Sequence, residues 1–227
     1  MEKVSGKVGR CRSLLDFASA HAMLAYARRH VEQHRQAEFI AAFTKYERAS
    51  LTEVTEEAFT LEYTWAVHVS GWSARVITAK IDKILAVHNI VVDGKFIPAT
   101  PQSVLNVDDY DKVLTVFKNV AKARAVIETR LLISLETWPE FKKDYLLKPV
   151  LPERLQKLSY MGPAMSCHLA RNLGNLDVVK PDKHLVRLAD YYGFETPLVM
   201  CQTIAQGEPV GKIDLILWLA AIDAGTL

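Results

Sequence analysis

The chain of 227 residues is poor in cysteine: Cys11, Cys167 and Cys201 are odd in number, far apart and free of any Cys-x-x-Cys spacing. That excludes a disulfide framework and leaves no ligand set for a structural zinc or iron–sulfur centre. No metal is expected, and a reducing cytoplasm is the expected setting. Long apolar runs are missing as well. The longest, Leu215 to Ile222, is far short of the roughly 20 residues that a membrane helix needs. Early basic residues (Lys3, Lys7, Arg10, Arg12) are followed by Asp16 and His21, which interrupt what would be the apolar core of a signal peptide. A charge excess of one sign is also lacking, since 28 Lys and Arg stand against 26 Asp and Glu. Any nucleic-acid contact must therefore come from a local patch rather than from the global field. Strand-forming runs are few, and there is no internal repeat or low-complexity tract.

What is present is a chain that is 50% apolar, with Ala, Leu, Glu, Lys and Arg recurring at helical spacing, so the expected class is mostly α. Two helices are read over residues 11–30 and 32–48 as an N-terminal extension, 1–52, ahead of a main domain, 53–227. Thr and Ser between Ser50 and Thr55 offer N-caps for a helix-rich stretch from Glu56 to Val91, broken near Ser70-Gly71. Ile90 to Ile97 around Asp93-Gly94 reads as a short β-hairpin. Asp108 and Asp109 favour a helix start, and Lys112 to Leu135 continues helically up to Trp138-Pro139. After Pro149 and Pro152 come a short helix from Glu153 to Leu158, a turn at Tyr160-Met161-Gly162-Pro163, and a helix from Ala164 to about Leu173 closed by Gly174. Ile213 to Ile222 is the last helix.

The informative segment runs from Leu158 to Ala170 and on through Val178-Val-Lys-Pro-Asp-Lys-His-Leu-Val-Arg-Leu-Ala189. Two short helices joined by a tight turn present backbone N–H groups at a helix N-terminus, where a phosphate meets aligned donors. Asp182 follows a proline, opens a helical pattern, and is flanked by Lys180, Lys183, His184 and Arg187. The pattern of Leu158, Gly162, Ala170, Val179, Asp182, His184, Arg187 and Leu188 resembles the helix-hairpin-helix, Gly/Pro, Asp (HhH-GPD) superfamily of DNA glycosylases. Upstream, Ser70-Gly-Trp72-Ser-Ala-Arg75 resembles the helix break that holds the family's wedge and pocket residues, and Asn119 to Ile127 its Lys-Ala-x-x-Ile helix. The resemblance covers about residues 55 to 225 and is specific in the last third.

That resemblance implies two helical lobes with a helix-hairpin-helix motif and a cleft between them, and a nucleotide flipped out of duplex DNA. It casts Asp182 as the catalytic carboxylate and Tyr160, Met161, Gly162, Ala164, Lys180, Lys183, His184 and Arg187 as DNA-binding. Ser70, Trp72 and Arg75 become pocket or wedge residues. It implies no cofactor beyond a monovalent cation at the hairpin turn, and a monomer that does not engage membranes. Three features depart from the family. Strand-cleaving members carry a lysine where this chain has Pro163-Ala164, so a lyase step requires Lys180 or Lys183 to substitute. Ser159-Tyr160 replaces the usual first glycine of the turn. The four-cysteine iron–sulfur loop is absent. The implied activity is monofunctional base excision. The alternatives are a phage amino acid:DNA transferase that hypermodifies thymine at activated 5-hydroxymethyluracil, with a free amino acid as co-substrate, and a non-catalytic DNA-binding protein.

Each of these residues also has a purely structural reading. Asp182 is a good N-cap, Trp72 is a natural core residue, and Lys180 and Lys183 suit a solvated face. His30 and His34, at i and i+4, share a helical face; without a third ligand they read as a solvated face rather than a metal site. Cys167 reads as packing and His168 as surface.

Overall fold

A computed structural model describes residues 13–105 and 110–225; Asp108, Asp109, Cys11 and the early basic residues lie outside them. The described elements begin with α1 (Ala20–His34), α2 (Gln36–Leu51), α3 (Glu56–Val69), α4 (Ala74–Thr78) and α5 (Ile81–Val87). The hairpin β1 (Val91–Val92) and β2 (Lys95–Phe96) follows, then α6 (Tyr110–Val116), α7 (Val120–Glu136) and α8 (Trp138–Tyr145). The chain continues with α9 (Pro152–Leu155), α10 (Pro163–Asn172), α11 (Lys183–Tyr191), α12 (Pro197–Ile204) and α13 (Val210–Ala224). This is the mostly helical architecture with one short antiparallel hairpin that the periodicity predicts.

The helices belong to two compact units, one made of the described residues of Met1–Lys45 and Leu176–Leu227, the other of Tyr46–Asn175. The units do not follow the 52/53 division drawn from sequence, because the apolar stripe of α1 packs on α13 and α12 rather than standing apart. α1 begins at residue 20, not 11, because the Ser19 hydroxyl accepts from Ala22 N–H and caps it there. It ends at Arg35, whose guanidinium donates to both carboxylate oxygens of Asp223 and to Glu38. His30 is buried rather than solvated, its Nε2 2.9 Å from Asp223. These bonds, Arg35's above all, hold the Asp223 carboxyl down to about 2. The solvated-face reading of the His30 and His34 pair therefore fails for His30, which is buried against the partly exposed Arg35–Asp223 ion pair.

In the unit of Tyr46–Asn175, α3 is central and packs on α7, α10, α4 and α5. Thr55 caps it through Ala58 N–H, as the Ser/Thr-rich boundary predicts. The hairpin turns through Asp93 and Gly94, both at positive φ, the two-residue geometry for which Asp-Gly is suited. Val91 pairs with Phe96 and Val92 with Lys95. Two helices escape the sequence reading. α8 and α12 each carry a proline in the first turn, where its missing N–H is harmless and its fixed φ favours the helix, so Pro139, read as a helix end, is a start. Gly174 closes α10 as expected, at φ +95, and a Cβ there would sit 2.3 Å from the backbone nitrogen of Ser50.

His68 and His88 lie in this unit almost without solvent contact, their rings 5.8 Å apart, and neither nitrogen of His88 meets a protein partner. Burial pulls His68 down to about 4 and His88 to about 3, against the ordinary 6.5. The unfolded chain therefore takes up protons below pH 6.5 that the folded chain refuses, and stability falls as pH drops from there towards 4. Urea denaturation is expected to lose about 2 kcal/mol or more between pH 7.5 and 5, with a shallower decline in His88→Phe; a flat profile would contradict the burial of these rings as neutral groups.

Candidate nucleic-acid interface

The turn between α9 and α10 is where the sequence places the phosphate grip. α9 is a single turn of helix, and its end continues through Leu158 N–H to Leu155 O and Met161 N–H to Leu158 O. Tyr160 takes φ +66, a left-handed conformation that a glycine would adopt freely. Gly162 itself is extended at φ −68 and ψ 175, so its backbone needs no glycine. A Cβ added to it would meet nothing within 4 Å, which leaves open space above the first turn of α10. Pro163 follows at the helix start, and no side chain caps the first N–H groups. Those donors therefore have no side-chain partner at the positive end of the helix.

The turn is held from beneath by buried groups on α3 and α7. The Tyr63 hydroxyl, 1% exposed, donates to Ser159 O at 2.6 Å and accepts from Thr129 Oγ1 at 2.8 Å. The Ser159 hydroxyl donates to Glu128 at 2.6 Å. That bond, and then Arg124, keeps the Glu128 carboxyl below its usual range. A concavity of about 450 Å³ opens beside the turn, lined by Ser70, Gln156, Leu158, Tyr160, Met161 and Gly162. Ser70 comes from the end of α3, where the helix breaks as expected.

Of the residues assigned to pocket and wedge, Ser70 lines the concavity. Trp72 is 51% exposed and leans edge-on against Phe117 at 5.2 Å, so it is not the core residue that composition favours. Arg75 is exposed on α4 and does not line the concavity. Tyr160 is 38% exposed and Met161 buried, so Met161 offers the surface its backbone and forms floor. Ala164 is half-buried in the first turn of α10. His168, read as a surface residue, is buried and stacks on Trp65 at 5.5 Å; Cys167 is half-buried.

Asp182 belongs to the other unit. Its Oδ1 accepts from His184 N–H at 3.0 Å and Leu185 N–H at 3.2 Å, capping α11 as its structural reading predicts. Oδ2 stays outside the cap, 4.0 Å from Lys180 Nζ, with the carboxylate 13% exposed. The approach to it is fixed by Asp214, buried, which accepts from Lys180 N–H at 2.9 Å. One carboxylate oxygen thus caps the helix while the other lies outside the cap. Lys183 and Arg187 are exposed on α11, Lys180 is half-buried, and His184 is buried. Burial lowers the His184 pKa, Asp182 opposing and Lys183 and Lys180 reinforcing. Among the described residues no group of three His, Cys, Asp or Glu is placed to hold a metal ion, and no helix is long and apolar enough to cross a membrane.

No known family model matches the chain, and no curated protein sequence does. Among solved structures, the crystal structure of the 8-oxoguanine DNA glycosylase of Thermotoga maritima matches at 21% identity, over 88% of this chain and 95% of that one, with a TM-score of 0.62. The chain has the fold of that enzyme.

Lys122 is absent from the sequence-level site, although it lies behind the concavity with its Nζ on the Ser70 carbonyl. The signal was present. Lys122 shares a helical face with Val126, Thr129 and Ile133, all buried, so a lysine interrupts an otherwise uncharged stripe. Tyr160 yields a test of the turn. Tyr160→Gly is expected to be more stable than Tyr160→Ala by about 1 kcal/mol, the cost of a Cβ in the left-handed region. Equal midpoints in urea would show the backbone there is not left-handed.

Proposed function

We propose that this chain is a base-acting DNA enzyme, a monofunctional glycosylase that takes a damaged or modified nucleotide out of the duplex and hydrolyses its N-glycosidic bond. The fold shared with an 8-oxoguanine DNA glycosylase over 88% of the chain carries the reading. The uncapped start of α10 supports it, as a seat for a backbone phosphate with no side chain in competition. Lys183 and Arg187 add charge to phosphates from the exposed face of α11. The flipped base enters the concavity, where Tyr160 stacks on it, and Trp72 fills the gap it leaves.

The chemistry falls to Asp182. As the bond from the base nitrogen to the anomeric carbon lengthens, positive charge develops on the sugar, and the carboxylate stabilises it. The oxygen left outside the cap orients a water, whose oxygen bonds to the anomeric carbon while its proton passes to the carboxylate. The base departs with the electron pair. With Pro163-Ala164 opening α10, no amine stands at that position to form a Schiff base, a lyase step would fall to Lys180 or Lys183, and the product on this reading is an abasic site in an intact strand.

Asp182→Asn is the decisive variant, because asparagine also caps helices well and the change removes charge while sparing α11. Duplexes carrying 8-oxoguanine, uracil, alkylated purines or 5-hydroxymethyluracil are expected to yield alkali-labile sites at one of these bases, with a loss of about 100-fold or more in the variant. Strand cleavage without alkali, or a borohydride-trapped adduct, would overturn the monofunctional reading. An amino-acylated thymidine from modified DNA would replace hydrolysis by group transfer, and salt-sensitive binding with neither product would leave a non-catalytic DNA-binding protein.

A further inference from the structure

Lys122 sits on α7 with 1% of its surface exposed, and among the described residues no carboxylate pairs with its ammonium. Its Nζ instead donates to two backbone carbonyls, His68 O at 2.7 Å and Ser70 O at 2.5 Å. Both belong to the C-terminal end of α3, where carbonyls lack helical partners and a cation is favoured. The same nitrogen lies 5.8 Å from the centre of the Tyr160 ring and 5.3 Å from that of Phe117, and Phe117 supports Trp72. One ammonium therefore joins two segments that line the concavity and, through Phe117, an exposed aromatic beside it.

A core selected for stability alone would not hold this group. Burial without a counter-ion is costly, and an apolar side chain of similar length fills the same volume without it. The tension shows in the lysine itself, whose pKa burial drags down to about 8. Carbonyl capping alone accounts for the bonds to His68 and Ser70 but not for the two aromatic faces turned to the same nitrogen.

We propose that Lys122 is a positioning residue of the concavity: its ammonium fixes the backbone at Ser70 on one side and the ring of Tyr160 on another, so that this open surface is preorganised for a planar, flipped nucleobase. The inference deepens the base-excision reading and rests on it for the nature of the occupant. The lysine does not touch the base. It acts through the two residues that do.

The test compares the whole chain with Lys122→Met, which keeps the length and removes donors and charge. Hydrogen–deuterium exchange without DNA is expected to quicken about tenfold in segments 68–72 and 158–162 and to stay unchanged in α8 and α13. Binding is read with a duplex carrying a tetrahydrofuran abasic analogue and with the same duplex unmodified. The preference for the analogue is expected to drop about fivefold or more, while affinity for plain duplex changes by less than about twofold. Unchanged exchange at both segments, or a uniform rise through residues 46–175, would overturn the proposal, the latter by making the lysine a general stabiliser. If Lys122→Met does not fold, Lys122→Gln, which keeps two N–H donors and loses the charge, is measured in the same way, with the same outcomes deciding. A wild-type chain without preference for the analogue defeats the base-excision reading, while the exchange arm still decides on Lys122.

Discussion

The candidate site depends on a buried hydroxyl. Tyr63 sits at the centre of its unit with its oxygen under Ser159, and that hydrogen bond fixes the height at which the chain crosses from α9 to α10. Thr129 orients the hydroxyl from α7, and Glu128, one residue earlier, receives the Ser159 side chain. A turn held from below at both its carbonyl and its side chain cannot sink into the core. Its N–H groups and the Tyr160 ring therefore stay at the surface, beside the concavity that Ser70 closes. The burial penalty on the Tyr63 phenol, which raises its pKa, keeps it a neutral donor.

Two residues on this turn and beneath it oppose local stability. Tyr160 occupies backbone space that suits glycine, and Lys122 carries a charge into an apolar layer. Strain of this kind persists where the surroundings over-determine it, and it collects at sites that bind. Here the two meet, ring over ammonium. Gly162, by contrast, is required neither by backbone angle nor by crowding inside the chain. It leaves open space above the first turn of α10.

Much of the fold was legible because it follows from local chemistry. Thr55 and Asp182 cap the helices they precede, Asp93-Gly94 turns the hairpin, and Gly174 ends α10. The misreadings share a cause. Pro139 was read as punctuation when it starts a helix, and His30 and His168 were read by polarity when tertiary partners, Asp223 and Trp65, decide their burial. No local pattern shows which long-range partner a histidine will find. The candidate site divides similarly. Ser70, Tyr160, Met161 and Gly162 were named from the motif and line one concavity, whereas Lys122 depends on carbonyls more than fifty residues earlier in the chain.

Whether the turn was built to hold a DNA backbone is answered most directly by a crystal structure of the chain with a duplex bearing a tetrahydrofuran abasic analogue. The account predicts a phosphate oxygen about 3 Å from the N–H of Ala164 or Met165, over the open face of Gly162. A duplex seated elsewhere, with the start of α10 left to solvent, would contradict it.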